Sequence, residues 1–218
     1  MSSGRQGKAS AGESPRRQRR RERNRAALLD AAYACFRRGG FVSTTISQIT
    51  EEADVAHGTF YSYFTTKDEV FTELVDRLLE DLFTVVNGPR QEPSVRRRLS
   101  VALSAFFQRC HDEREILLAL HQASRLHEDY ARKWERFRER LRRQVEHDLG
   151  WLSRNQYLPG TLRVDLVSTV ITRMIEGVAL HIVDAADADV EALADTTATL
   201  YYDAVFRPAS GSEDITLS

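Results

Sequence analysis

Residues 57–69 read HGTFYSYFTTKDE and place four aromatic rings, Phe60, Tyr61, Tyr63 and Phe64, within five positions. If the stretch is helical, Phe60 and Phe64 share one face and can be buried, while Tyr61 and Tyr63 project to its flanks. A tyrosine so placed anchors its ring on protein and offers its hydroxyl to a phosphate oxygen. Thr59 and Lys67 can do the same, and such contacts fix register on a duplex without reading its sequence. His57 and Gly58 stand at the leading end, where a side chain can meet base edges and a missing one lets backbone approach. The chemistry on offer is polyanion binding.

Charge patterning points the same way. Residues 1–25 carry nine basic and two acidic residues, a net charge of +7, against −8 for the remainder of the 218-residue chain. A basic arm on an acidic body attracts polyanions, nucleic acid above all, although it can also serve as a solvated tail. Catalysis has no comparable support. The chain lacks a nucleophile elbow, a glycine-rich phosphate cradle and a His/Glu zinc motif, and His111, His121, His127 and His181 form no partnership with carboxylates that makes a convincing metal site. No catalytic residue, metal or cofactor is therefore expected.

The elements that must carry these groups are helical. Apolar residues recur at three- and four-residue intervals, nothing alternates with period two, and nine helical segments can be counted, so the fold class is all-α. A helix from about Arg19 to Gly39-Gly40 carries Leu28, Ala32, Cys35 and Phe36. A short helix over about 46–53 follows, with Thr45 and Gln48 in capping-box spacing, and Asp54-Val55-Ala56 turns into the aromatic stretch, read as a third helix of barely two turns. Thr66 and Glu69 mark a second capping box before a fourth helix that runs to about Val86, where Asn87-Gly88-Pro89 stops it. Two short helices joined by a three-residue turn form a helix-turn-helix, whose last helix enters the major groove of double-stranded DNA.

Five further helices follow, the seventh broken by Tyr157-Leu158-Pro159-Gly160. The eighth and ninth, over about 163–186 and 189–206, have apolar faces too broad for one-sided burial, which predicts a homodimer through a four-helix contact with Gly177 permitting close approach. Phe106, Phe107, Cys110, Trp134, Phe137 and Met174 could line an apolar cavity, although aromatic stripes at helical spacing are more often core. The division expected is a disordered basic tail over 1–18, a DNA-binding domain over 19–66, an effector-binding and dimerisation domain over 67–207, and a tail over 208–218. No run of about 18 uncharged apolar residues and no secretory signal is present, so the expected location is cytoplasmic, without a membrane partner. Cys35 and Cys110 are too far apart to suggest a disulfide framework and read as buried fillers.

Residues 25–72 resemble the DNA-binding domain of the TetR family of transcriptional regulators, through the paired threonines, the Ile-x-x-x-Ala core and the run Gly-Thr-Phe-Tyr-x-Tyr-Phe-x-x-Lys within GFVSTTISQITEEADVAHGTFYSYFTTKDEVF. The resemblance implies phosphate contacts from Thr45, Thr59, Tyr61, Tyr63 and Lys67, with Gln48, His57 and Gly58 near bases. It also implies a ligand-responsive regulator, most simply a repressor that leaves its palindromic operator when a small molecule binds. Two positions depart from the family pattern: Asp54 stands where glycine is usual and Ala56 where serine is usual. Asp tolerates a left-handed turn, and loss of the serine cap costs about 1 kcal/mol. The alternative reading is a helical carrier or enzyme for a hydrophobic small molecule, with a vestigial DNA-binding motif.

Overall fold

The computed structural model describes residues 14–88, 94–155, 157–158 and 162–206. Among these, nine α-helices account for the regular structure: α1 Pro15–Gly39, α2 Ile46–Glu52, α3 His57–Phe60, α4 Lys67–Val86, α5 Val95–Asp112, α6 Arg114–Ser124, α7 Glu128–Arg154, α8 Val164–Asp184 and α9 Val190–Phe206. Most of the expected tails at 1–18 and 208–218 lies outside the described residues, as does the Pro159-Gly160 break.

The chain divides into two compact units, residues 1–71 and 72–218, at a point inside α4 and not at the expected boundary between 66 and 67. In the first unit, α1 begins at Pro15, four residues before the expected Arg19. Ser14 precedes it in extended conformation (φ −63°, ψ 144°) and proline's fixed φ suits the first helical position, so Arg16 and Arg17 already stand on the helix. Gly40, at φ 78°, ends the helix by donating its N–H to the Phe36 carbonyl at 2.8 Å. The Thr45/Gln48 capping box starts α2: Thr45 N–H donates to Gln48 Oε1 at 2.8 Å and Gln48 N–H to Thr45 Oγ1 at 3.3 Å.

Asp54 turns the chain with φ 51°, a conformation that Asp adopts at modest cost. α3 is a single turn, shorter than the sequence suggests. Ala56 at its N-cap has no side-chain acceptor, and the N–H groups of Ser62 and Tyr63 bond three residues back, to the Thr59 and Phe60 carbonyls, so the chain tightens after one α-turn. Phe60, Phe64 and Ile49 are buried, as expected, beside Leu28, Leu29, Ala32, Cys35 and Phe36. Phe36, Phe41 and Phe71 form a second ring cluster with centroids 4.3–5.7 Å apart.

In the second unit, α5 packs along α9 and α7 along α8. One core cluster joins Leu149, Leu152 and Leu158 to Ile171 of α8 and to Tyr201, Tyr202, Val205 and Phe206 of α9. Buried Asp148-facing Tyr201 has its phenol held well above the ordinary range by desolvation and by that carboxylate. The outer face of α7 is laced with ion pairs, Arg142 and Arg143 both gripping Glu139 at 2.8–2.9 Å. By length and composition α8 could cross a membrane. It nevertheless places Ile171, Ala179, Ile182 and Val183 in the protein core and ties Glu176 to three side chains described below.

Candidate nucleic-acid interface and effector cavity

The helix-turn-helix surface is built by three local devices. The capping box points α2, the positive φ of Asp54 turns the chain, and Phe60 and Phe64, with ring centroids 5.8 Å apart, seat α3 on the core. Thr45, Gln48, His57, Gly58 and Tyr61 are exposed, and Thr59 and Tyr63 are half-buried. The His57 and Tyr61 rings lie 5.6 Å apart. The cap occupies the Gln48 amide oxygen but does not use its Nε2 hydrogens.

Gly58 is informative because nothing in the protein calls for it. A Cβ built there meets no atom within 4 Å, and its backbone is not in the left-handed region. Glycine in a helix costs up to about 1 kcal/mol relative to alanine.

Lys67 departs from the outward pose that a phosphate contact suggests. Its ammonium donates to the carbonyls of Phe41 at 2.6 Å, Thr44 at 2.7 Å and Val42 at 3.2 Å, the full donor count of a lysine, and sits 4.6 Å from the centre of the Phe41 ring. Burial lowers its pKa from the ordinary lysine value, while Asp68 pulls it back up. The sequence reading missed this tie and Phe41 with it.

The second unit contains a small, partly open cavity of about 30 Å³. Of the six expected pocket residues, Phe106, Cys110 and Trp134 share its wall with Leu82, Leu141, Ile175 and Ala179. Phe107 and Phe137 are buried away from the lining, and Met174 packs against the Leu149–Phe206 cluster. Burial pushes the Cys110 thiol up to about 12, so it lines the wall as a neutral group.

One end of the wall is polar. Glu176 Oε1 accepts from Trp134 Nε1 and from Arg138 Nε, each at 2.9 Å, and Oε2 accepts from Arg173 at 2.9 Å. Arg138 also grips Glu135. Arg138 of α7 and Glu176 of α8 are lining residues that sequence reasoning overlooked; the available signal was a carboxylate midway along the largely apolar α8. The space admits a water molecule and nothing larger.

The pattern of bacterial regulatory proteins of the tetR family matches residues 28–74, the segment from the α1 core through the first turns of α4. Over residues 28–74 the chain carries the tetR-family DNA-binding pattern. Curated relatives include the uncharacterised HTH-type transcriptional regulators YfiR (26% identical over 97 residues, covering 44% of this chain and 47% of YfiR) and YhgD (34% over 55 residues, covering 25% and 29%), both of Bacillus subtilis. The matched part thus spans about half or less of those relatives.

The same fold recurs in a TetR-like regulator from Rhodococcus sp. RHA1 (23% identity, 83% of this chain and 94% of that one, TM-score 0.62) and a TetR regulator from Haloarcula marismortui (18%, 85% and 100%, TM-score 0.73). It recurs also in SmeT, the repressor of the Stenotrophomonas maltophilia multidrug efflux pump SmeDEF (18%, 85% and 91%, TM-score 0.67). These likenesses show an all-α fold shared with transcriptional regulators, with the tetR-family helix-turn-helix pattern over residues 28–74.

Proposed function

We propose that the protein is a cytoplasmic, non-enzymatic repressor that grips a palindromic operator as a homodimer and is released by a mostly apolar small molecule carrying one polar end. The observation that carries the DNA-binding part is Gly58. Neither its backbone angles nor any neighbour demands glycine, so what the absent side chain permits is close approach from outside, at the leading end of the helix flanked by Tyr61 and Tyr63. Thr45, Thr59, Tyr61 and Tyr63 then serve phosphates, and Gln48 and His57 stand near base edges.

Homodimer formation is supported by apolar side chains on α8 and α9 that the protomer leaves in water: Leu166 is 55%, Val170 66% and Leu200 55% exposed. The effector reading is supported by the wall of Phe106, Leu82, Leu141 and Ile175 ending at the Glu176–Arg138 pair. An effector must open this site, and it shifts the operator equilibrium only by preferring the opened form.

Fluorescence anisotropy with duplexes from the DNA flanking its own coding region, at low salt, tests the reading. Wild-type protein should bind one such duplex. Gly58→Val, which has room to fold, should bind it at least about tenfold more weakly. Equal binding by both forms removes Gly58 from the contact surface, and no binding by wild type returns the chain to the carrier reading.

A further inference from the structure

The first turns of α1 are electrostatically costly. Residues 14–25 hold seven arginines and one acid, Glu22, and no acidic residue stands in the first turn of the helix. Like charges three and four apart repel, and cations oppose the positive end of the helix dipole. Six of these arginines nevertheless fall into two groups of three at helical spacing. Arg17, Arg20 and Arg21 share one face with Asn24; Arg16, Arg19 and Arg23 share an adjoining one. The first face is built into a surface. Arg17, Arg20, Arg21 and Asn24 line a depression of about 430 Å³ whose other wall is Ser62 and Tyr63, the residues that follow α3. One turn further along, the Arg25 guanidinium lies 5.0 Å from the centre of the Phe64 ring, against the core of the same unit.

We propose that this depression is a second backbone-phosphate site, in which Arg17, Arg20 and Arg21 extend the duplex footprint of the helix-turn-helix past Tyr63, while Arg16, Arg19 and Arg23 take no part. The proposal rests on the DNA-binding reading above. Guanidinium groups offer planar, multiple donors to phosphate oxygens, and Asn24, Ser62 and Tyr63 add neutral donors across the same hollow. Its charge complements a polyanion, and its continuity with Tyr63 selects the duplex that α3 engages. The contribution is to affinity, not to sequence choice.

The test compares two charge-matched triple variants of the full chain, Arg17→Ala/Arg20→Ala/Arg21→Ala and Arg16→Ala/Arg19→Ala/Arg23→Ala, by the slope of log affinity against log salt on the bound duplex. Each phosphate contact contributes roughly 0.9 to that slope. The first triple should lower it by roughly two to three and the second by less than one, with the ranking of duplex sequences unchanged in both. Circular dichroism confirms that each variant retains wild-type helicity; alanine is the stronger helix former, so neither should lose it. Equal losses in the two triples overturn the facial assignment, as does a first triple with wild-type slope. Wild-type protein that binds no duplex sinks the DNA-binding reading and this one with it, whereas wild-type binding with equal slopes sinks this one alone.

Discussion

The ammonium of Lys67 lies 2.6 Å from the carbonyl oxygen of Phe41 and 4.6 Å from the centre of that residue's own ring. With the Val42 and Thr44 carbonyls completing its partners, Lys67 ties the first turn of α4 to the loop between α1 and α2.

Lys67→Met should therefore destabilise the protein by about 2 kcal/mol, the scale of hydrogen bonds to a charged, partly buried group. Urea denaturation of the two forms reads this. If Lys67 instead serves a phosphate, the variant keeps its stability and loses roughly 0.9 of salt slope in DNA binding.

Ala56 already has the extended backbone of an N-cap (φ −62°, ψ 142°) but no oxygen to offer. Ala56→Ser should stabilise the protein by about 1 kcal/mol, measured as an increase in urea midpoint at constant slope. An unchanged midpoint would mean that water satisfies the first N–H groups of α3 equally well.

Arg142 and Arg143 hold the Glu139 carboxylate at about 2, against 4.5 for an ordinary glutamate, chiefly by hydrogen bonding. A depressed folded-state pKa means that this pairing contributes fully above about pH 4.5 and is lost as pH falls toward 2. Glu139→Gln should flatten the melting temperature against pH within that window only. Because the site is exposed, added salt should shrink the difference between the two forms. A variant that parallels wild type from pH 4.5 to 2 in low salt contradicts the pairing.

Local signals were readable from residue order. The Thr45/Gln48 cap, the left-handed Asp54, the missing cap at Ala56 and the buried Phe60/Phe64 pair all concern residues within four positions of one another, where chain geometry leaves few choices. The second capping box was read half correctly. Glu69 N–H does bond Thr66 Oγ1 at 3.2 Å, but the Glu69 carboxylate reaches one residue further back, to Thr65 N–H at 2.6 Å.

Contacts between distant segments were not readable. Lys67 finds its acceptors 23–26 positions earlier, and Glu176 finds Trp134 and Arg138 about 40 positions away. Helical spacing told that Phe106, Phe107, Trp134, Phe137 and Met174 face inward. It did not tell which neighbour each would meet, because that depends on how the helices cross. Hence three of the six expected pocket residues share the cavity and three fill core elsewhere.

Gly177 stands exposed in the middle of α8, and a Cβ there would touch nothing in the protomer. In the proposed homodimer, folding and self-association place opposite demands on this one position. Gly177→Ala should make the single chain more stable by up to about 1 kcal/mol while weakening its attachment to a second copy, so a hotter melt and a larger monomer fraction would arrive together. That joint outcome would mark Gly177 as a residue that serves the assembled state at the expense of the single chain.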